Sequence, residues 1–337
     1  MDDIILQGHG SGGQLTHNLI DNIFLKYFDN DYLRMLSDSA VLKIKSENIA
    51  FTTDSYVVSP VFFPGGDIGK LAVCGTVNDL SVSGAKPMYL SASFIIEEGF
   101  QINDLKRIAQ SMAKEAKEAG VLIVTGDTKV VGSGMCDKIF INTTGVGELQ
   151  EKDTEISSGK NIQSGDKILI NGTIADHGMA IMCARENLSI EGNIVSDCAS
   201  LNSMIKELLE SGIRVKFMRD ATRGGLATVL NEVSGKQNIG IEINESSILL
   251  KESVRGVCEI LGYDPLYVAN EGKAIIIVDS ADEDSALKIM RKHHLGRSST
   301  VIGEIINEHR GTVILNTSIG GRRILNILSG EQLPRIC

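Results

Sequence analysis

Three short stretches set carboxylates beside tight turns or inside strand-like runs. TTDS places Asp54, VNDLSVSGA places Asn78 and Asp79, and VTGDTK places Asp127 directly after an apolar run, with Lys129 two residues on. A carboxylate on a buried strand is costly unless it is paired or bound to a cation. Taken singly, each is a turn-forming or helix-capping residue. As a set among small and polar neighbours, Asp54, Asp79 and Asp127 suit magnesium ions bridging phosphates, with Asn78 as a neutral ligand. GHGSGG (8–13) matches the dinucleotide fingerprint G-x-G-x-x-G, following the apolar IIL and preceding a helical pattern. A dinucleotide fold also needs a second buried strand after that helix, and DNDYLRMLSDSA is too polar for one. Two readings remain beside it: a flexible glycine-rich N-terminus, or a loop whose Gly10, Gly12 and Gly13 backbone wraps phosphate with help from His9 and Ser11. GGDIGKL is not a Walker A loop, because leucine stands where Ser or Thr would bind magnesium.

The second half adds fewer such groups. MRDATRGGLATVL (218–230) puts Asp220, Arg223 and Gly224 at a strand-to-helix junction whose helix N-terminus attracts an anion. DHG and NEG put His177 and Glu271 at turns, where capping suits His177 as well as catalysis does. Lys129 is either a surface lysine or a charge partner for phosphate. The sequence stops on EQLPRIC. A free thiol there invites oxidation, so Cys337 must be buried or used. Arg335 lowers its pKa and the adjacent carboxylate raises it, which leaves no strong thiolate. Pro334 stiffens the approach of this tail, and Ile336 is suited to an apolar slot. The other cysteines, Cys74, Cys136, Cys183, Cys198 and Cys258, form no C-x-x-C and sit in apolar surroundings. They read as small core residues in a reducing cytoplasm, not as a zinc or redox pair.

The elements that must position these groups are legible as periodicities. Residues 49–58, 88–96, 121–126 and 138–147 read as strands, and 15–28, 67–84 and 103–120 as helices, the last with Asn103 as N-cap and Gly120 as stop. A polar stretch over 150–165 looks like a linker. DKILI and AIIIVD then read as strands, MIKELLES and RGGLATVLNEVSG as helices, and RRILNILSG (322–330) as a short helix. The expected architecture is two α/β (α+β) domains, 1–150 and 151–321, each with a mixed sheet packed by helices, and a flexible tail over 322–337. Seven residues beyond Gly330 reach about 23 Å when extended. The 337 residues, with 42% hydrophobic and 23% charged side chains, suit a soluble globular protein. There is no signal-peptide n-region and no apolar run of membrane length. A net charge of −10 with scattered Lys and Arg disfavours nucleic acid.

HGSGG, TTDS, VNDLSVSGA, TGDTKVV, MRDATRGGL, VANEGK and the final PRIC together resemble the HypE family of hydrogenase maturation factors, in the aminoimidazole ribonucleotide synthetase (PurM-like) superfamily. The likeness runs from Gly8 to Cys337, and the PRIC end separates this family from the rest of the superfamily. It implies a PurM-like homodimer whose first domains pair through their sheets, with ATP and Mg²⁺ bound near the interface. It further implies that a carbamoyltransferase, HypF, loads a carbamoyl group onto Cys337, which is then dehydrated with ATP to a thiocyanate. The cyano group passes to iron on a HypC–HypD complex for [NiFe] hydrogenase. On this likeness Glu271 is the base for the amide proton and Lys129 steadies the carboxamide oxygen. A superfamily kinase or synthetase that does not need Cys337, and a non-enzymatic iron scaffold, are the alternatives.

Overall fold

The computed structural model describes residues 3–188, 193–327, 333 and 335–337. A 3-10 turn at Gln7–Gly10 leads into α1 (Gln14–Leu19), a π-helical turn (Ile20–Phe24) and α2 (Leu25–Phe28), so the helix expected over 15–28 is present with a wider central turn. Next come β1 (Asn48–Tyr56), the short hairpin β2 (Phe62–Phe63) and β3 (Gly66–Asp67), α3 (Ile68–Val82), β4 (Lys86–Glu97), α4 (Ile102–Ala119), β5 (Leu122–Val131) and β6 (Ile139–Leu149). Four strands form a sheet in the order β1-β6-β4-β5, with only β4 and β5 parallel. Apolar residues surround α3 almost completely, and it is buried along nearly its whole length, as such a helix must be. The Asp67 carboxylate caps it, accepting from the Gly69 and Lys70 N–H groups at 2.8 and 3.1 Å. Gln101, not Asn103, occupies the N-cap of α4, while Gly120 ends it in the left-handed region at φ 71°.

The second half contains β7 (Lys167–Ile170), α5 (Asp176–Arg185), α6 (Asn202–Glu210), β8 (Val215–Asp220), α7 (Gly225–Gln237), β9 (Gly240–Asn244), α8 (Glu252–Leu261), β10 (Ala274–Val278), α9 (Glu283–Lys292), β11 (Thr300–Ile306), β12 (Val313–Asn316) and β13 (Arg322–Leu325). Its seven-stranded sheet runs β13-β12-β9-β11-β7-β10-β8, antiparallel except between β9 and β12. Residues of α7 pack with one face and residues of α6 and α9 with the other, which is why β10 is a continuous apolar run. The mixed two-domain architecture expected from the sequence is the one found. Residues of α5 and α8 share one apolar cluster with α3, α4 and the first sheet, so the halves meet through a common core.

Two local readings are corrected. The stretch 150–165 is a packed connection, with a 3-10 turn at Glu151–Asp153 and with Ile156 and Ile162 buried. Arg322–Leu325 is an edge strand paired with β12, not the start of a helix. Leu325 enters the core while Arg322 and Arg323 reach Glu242 and Asp264, so sheet pairing outweighs local helical pattern. Residues 328–330 of that expected helix, and Pro334, lie outside the described residues.

Candidate active site

Strand β1 and the end of α3 bring two of the expected acids together. Thr52 Oγ1 donates to Asp79 Oδ2 at 2.9 Å, and Asp54 lies two residues further along β1. Asp220 ends β8, a strand that packs against α3. Burial raises the Asp79 carboxyl above its usual range, and the nearby Asp54 adds to this. Burial, reinforced by Asp79, pushes Asp220 up to about 7. Glu271 is the deepest of the acids, 2% exposed, and its Oε1 has no hydrogen-bond partner. Burial raises its pKa well above the ordinary value, and Cys198, Asp220, Asp197 and Asp54 push the same way.

The backbone of Glu271 is fixed by a group not singled out in the sequence. Asp197 accepts from the N–H groups of Glu271 and Gly272 at 3.2 Å each and from Lys273 Nζ at 2.9 Å. Burial opposes its ionisation, but Lys273 and the Glu271 N–H outweigh that and hold its carboxyl below the usual range. Gly272 permits the approach, since a Cβ there would sit 2.0 Å from the Asp197 carbonyl oxygen. Asn78 clamps the same segment from α3. Its Nδ2 donates to the Ala199 and Glu271 carbonyls at 3.0 and 3.3 Å, and its Oδ1 accepts from Leu201 N–H at 2.8 Å. With both ends so engaged, Asn78 is a buried brace in the chain as it stands.

The chain end docks beside these acids. Val57 N–H donates to the Cys337 oxygen at 3.1 Å, Ser59 N–H to the Arg335 carbonyl at 3.3 Å, and Arg335 Nε to the Val57 carbonyl at 3.1 Å. Arg185 Nη2 bridges the Ser59 and Arg335 carbonyls at 2.7 and 2.8 Å. Ile336 is buried in the shared core, as its apolar character suggests. Cys337 is half-buried and packs against that core, so it does share an apolar environment with other cysteines. Burial pushes its thiol up to about 12, Glu271 adds to this, and Arg223 opposes it. The opposing arginine is therefore Arg223 and not Arg335, whose guanidinium pairs with Asp137 at 2.6 Å. His177 lies in the first turn of α5, not in a free turn, and its Nε2 meets the Ile336 carbonyl at 3.0 Å.

A second group of expected residues lies elsewhere. Asp54, Thr143, Ala92 and Gly126 form one row across β1, β6, β4 and β5. Strand spacings of about 4.8 Å put Asp127 roughly 14 Å from Asp54 within the chain. Asp127 is exposed, pairs with Lys129 at 2.9 Å, and has a lowered pKa chiefly because of that lysine. Within a single copy this register leaves Asp127 exposed and three strand spacings from Asp54, so the three expected acids do not converge in one chain. Lys129 is equally remote from Cys337. The glycine loop packs against this same edge, where a Cβ on Gly10 would meet Val130 N at 2.5 Å. His9 is buried and accepts at Nδ1 from Leu6 N–H at 3.0 Å, which braces the start of the loop. Ser11 Oγ donates to the Gly8 carbonyl at 2.9 Å, and Gly12 and Gly13 face open space. Gly224 takes φ 73° at the N-terminus of α7, beside Arg223. Among the described residues, no three His, Cys, Asp or Glu side chains converge into a ready metal centre.

The halves match the AIR synthase related protein N-terminal domain over residues 36–149 and its C-terminal domain over 163–316. Carbamoyl dehydratase HypE of Cupriavidus necator is 49% identical over 331 residues, covering 98% of this chain and 94% of that one. The chain belongs to the HypE family. A solved HypE bound to ATP superposes with TM-score 0.95 at 47% identity, covering 98% of this chain and 99% of the other. A HypE chain from a HypE–HypF complex does so with TM-score 0.80 at 51% identity, covering 92% and 99%. Residues that sequence reading missed are Asp197, Ser196 and Arg185. Each acts through backbone groups, and SDCAS carries no spacing signal beyond a polar turn.

The brace reading of Asn78 predicts that Asn78→Ala loses about 2–4 kcal/mol of stability in urea unfolding, from orphaned buried partners, with the same loss with or without magnesium. A loss seen only with magnesium present would restore the ligand reading.

Proposed function

We propose that this member of the HypE family dehydrates an S-carboxamide on its own Cys337 to a thiocyanate, using ATP. The carrying observation is the docked tail, which brings the thiol within the electrostatic reach of Glu271, Arg223 and Asp54. The thiol first takes a carbamoyl group from a donor enzyme. An amide oxygen is a poor leaving group, so ATP phosphorylates it. The two amide protons then leave in turn, inorganic phosphate departs with the oxygen, and S–C≡N remains. The thiol's raised pKa keeps it protonated while docked, which fits loading by a partner and not spontaneous attack. The orphaned Oε1 of Glu271 suits an amide N–H arriving at Cys337. Arg223 is the cation whose charge acts on the thiol, and it suits charge developing on the carboxamide oxygen.

A divalent cation fits the Asp54, Asp79 and Asp220 set, because burial and the neighbouring carboxylates raise the pKa values of Asp79 and Asp220, and such acids favour a positive neighbour. When bound, Mg²⁺ would neutralise phosphate charge. An apolar cavity of about 230 Å³ lined by Phe24, Phe28, Phe94 and Ile123 beside Asp127 suits the adenine ring. The glycine loop, Asp127 and Lys129 would then hold the phosphates from the β5 side.

Assembly reconciles the two sides. The first sheet ends in unpaired β1 and β5 edges and exposes Phe51, Ile49, Ile95 and Leu122. A two-fold dimer that closes both edges would set β5 of one chain next to β1 of the other, and so bring Asp127 and Lys129 to Cys337 in trans. For partners, HypF is supported by the complex formed by a relative at 51% identity. A HypC–HypD iron complex would receive the cyano group. A free thiol that must survive to be loaded fits the reducing cytoplasm.

Tail-peptide mass spectrometry with a carbamoyl donor system and ATP should show one carbamoyl gained at Cys337 and then one water lost. Cys337→Ala should fold and bind ATP but gain nothing. Modification at any of the other cysteines overturns the assignment. Glu271→Gln should accept the carbamoyl group yet slow dehydration by about 10²–10⁴-fold. Because burial raises the Glu271 pKa, its base form grows as pH rises, so wild-type single-turnover rates should climb through neutrality. An unperturbed carboxylate would give a flat profile above about pH 5. Finally, chains carrying Lys129→Ala mixed with chains carrying Cys337→Ala should recover activity that neither has alone. No recovery would refute completion in trans.

A further inference from the structure

The last peptide group of the docked tail is held by a chain of hydrogen bonds that the dehydration chemistry itself does not require. His177 is fully buried, edge-on to Phe63 with ring centroids 5.6 Å apart. Its Nε2 lies 3.0 Å from the Ile336 carbonyl oxygen and its Nδ1 lies 2.8 Å from Ser196 Oγ. Proton positions follow from the partners. A carbonyl can only accept, so Nε2 carries hydrogen. In a neutral ring Nδ1 is then bare and accepts from the Ser196 hydroxyl. Ser196 Oγ in turn accepts from the Cys198 N–H at 3.1 Å, which leaves its proton for His177. Burial lowers the His177 pKa, which keeps the ring neutral although Asp197 and the Ile336 carbonyl oppose this.

The same three-residue segment holds the opposite side of the reacting pair. Asp197, between Ser196 and Cys198, fixes the Glu271 and Gly272 backbone through their N–H groups. Ser196 N–H is itself anchored to the Pro64 carbonyl at 2.9 Å. One short segment therefore registers both the residue whose carboxyl group acts electrostatically on the thiol and the peptide group that precedes it.

We propose that His177 is a positioning residue that reads the Ile336 carbonyl and sets Cys337 against Glu271. Recognition is then of the backbone of the tail at a fixed depth, and Ser196 acts through His177 by fixing its tautomer. This inference rests on the reading of Cys337 as the carbamoyl acceptor. Glutamine can place an N–H donor near the position of Nε2, whereas alanine cannot.

The test uses the full chain and two readouts. With unloaded protein, alkylation of Cys337 by iodoacetamide reports docking without any catalysis. His177→Ala should alkylate about 3–10-fold faster than wild type, in line with loss of one buried hydrogen bond, while His177→Gln stays close to wild type. With the carbamoyl-loaded tail and ATP, His177→Ala should lose about 10-fold or more in the single-turnover rate, as misplacement of reacting groups does. Its KM for ATP should not change, and His177→Gln should recover most of the rate. Ser196→Ala, which leaves the ring in place, should shift both readouts in the same direction by less, and guards against a folding defect in His177→Ala. Wild-type alkylation and dehydration in a folded His177→Ala, or a His177→Gln as impaired as the alanine variant, would overturn the proposal. If wild type never gains a carbamoyl group, the acceptor reading fails, while the alkylation comparison still decides whether His177 holds the tail.

Discussion

Burial of Glu271 with one carboxyl oxygen unpartnered is the constraint on which the surrounding structure turns. A neutral carboxylic acid in a packed interface is tolerable only if its backbone is held and its free oxygen has a purpose. The backbone is held from two directions, by Asp197 with Lys273 and by Asn78 from the end of α3. Those braces come from different halves of the chain, so the site exists only because the shared core docks α3 against the second sheet. The free oxygen points to chemistry that is absent until the tail carries an amide.

The charge distribution then divides the work. Around Cys337 the chain concentrates acids that resist ionisation and supplies Arg223 as the thiol's cationic neighbour. Asp127, Lys129 and the open glycine loop sit on the other edge of the first sheet, where solvent keeps Asp127 ionised beside its lysine. A single chain thus separates its acid-rich cluster from the exposed Asp127–Lys129 pair and glycine loop by the width of a four-stranded sheet. Edge strands left unpaired on both sides, with exposed apolar residues on the open face, suit a second copy better than they suit solvent.

Much of this was legible in the sequence because it is periodic or punctuated. The strands around Asp54, Asp127 and Asp220 are apolar runs ended by turn residues, and α3 and α4 carry unbroken helical patterns. The tail's apolar anchor at Ile336 also follows from residue type alone. What was not legible depends on register. Spacing along the chain cannot tell that Asp54 and Asp127 lie three strands apart, because strand order β1-β6-β4-β5 is set by packing and not by sequence order. Motif spacing also could not show that Asn78 spends its hydrogen bonds on backbone, or that His9 commits Nδ1 to Leu6. Asp197 and Ser196 were invisible for the converse reason: their partners, the Glu271 backbone and the His177 ring, are remote in sequence. Arg322–Leu325 was misread because an edge strand with one buried leucine has too little alternation to oppose a helical pattern.

Docking of the tail must also be reversible if a partner loads the thiol that Glu271 later faces. Its contacts suit that requirement. They include backbone pairings to Val57 and Ser59, bonds from Arg185 and His177, the half-exposed Arg335–Asp137 pair and one buried isoleucine side chain. Each such hydrogen bond contributes about 1 kcal/mol net, whereas ordering each tail residue costs about 1–2 kcal/mol in backbone freedom. Opposing terms of similar size leave neither state overwhelmingly favoured, so a change at Cys337 can tip the balance. A carbamoyl group adds N–H donors that the buried Oε1 of Glu271 can accept from, favouring the inward state for the loaded tail. Conversion to a thiocyanate removes both donors and again leaves that oxygen without a partner. The chemistry would then reverse the contact that drew the tail in, so the same carboxyl group serves as base and as the sensor that favours release of the product.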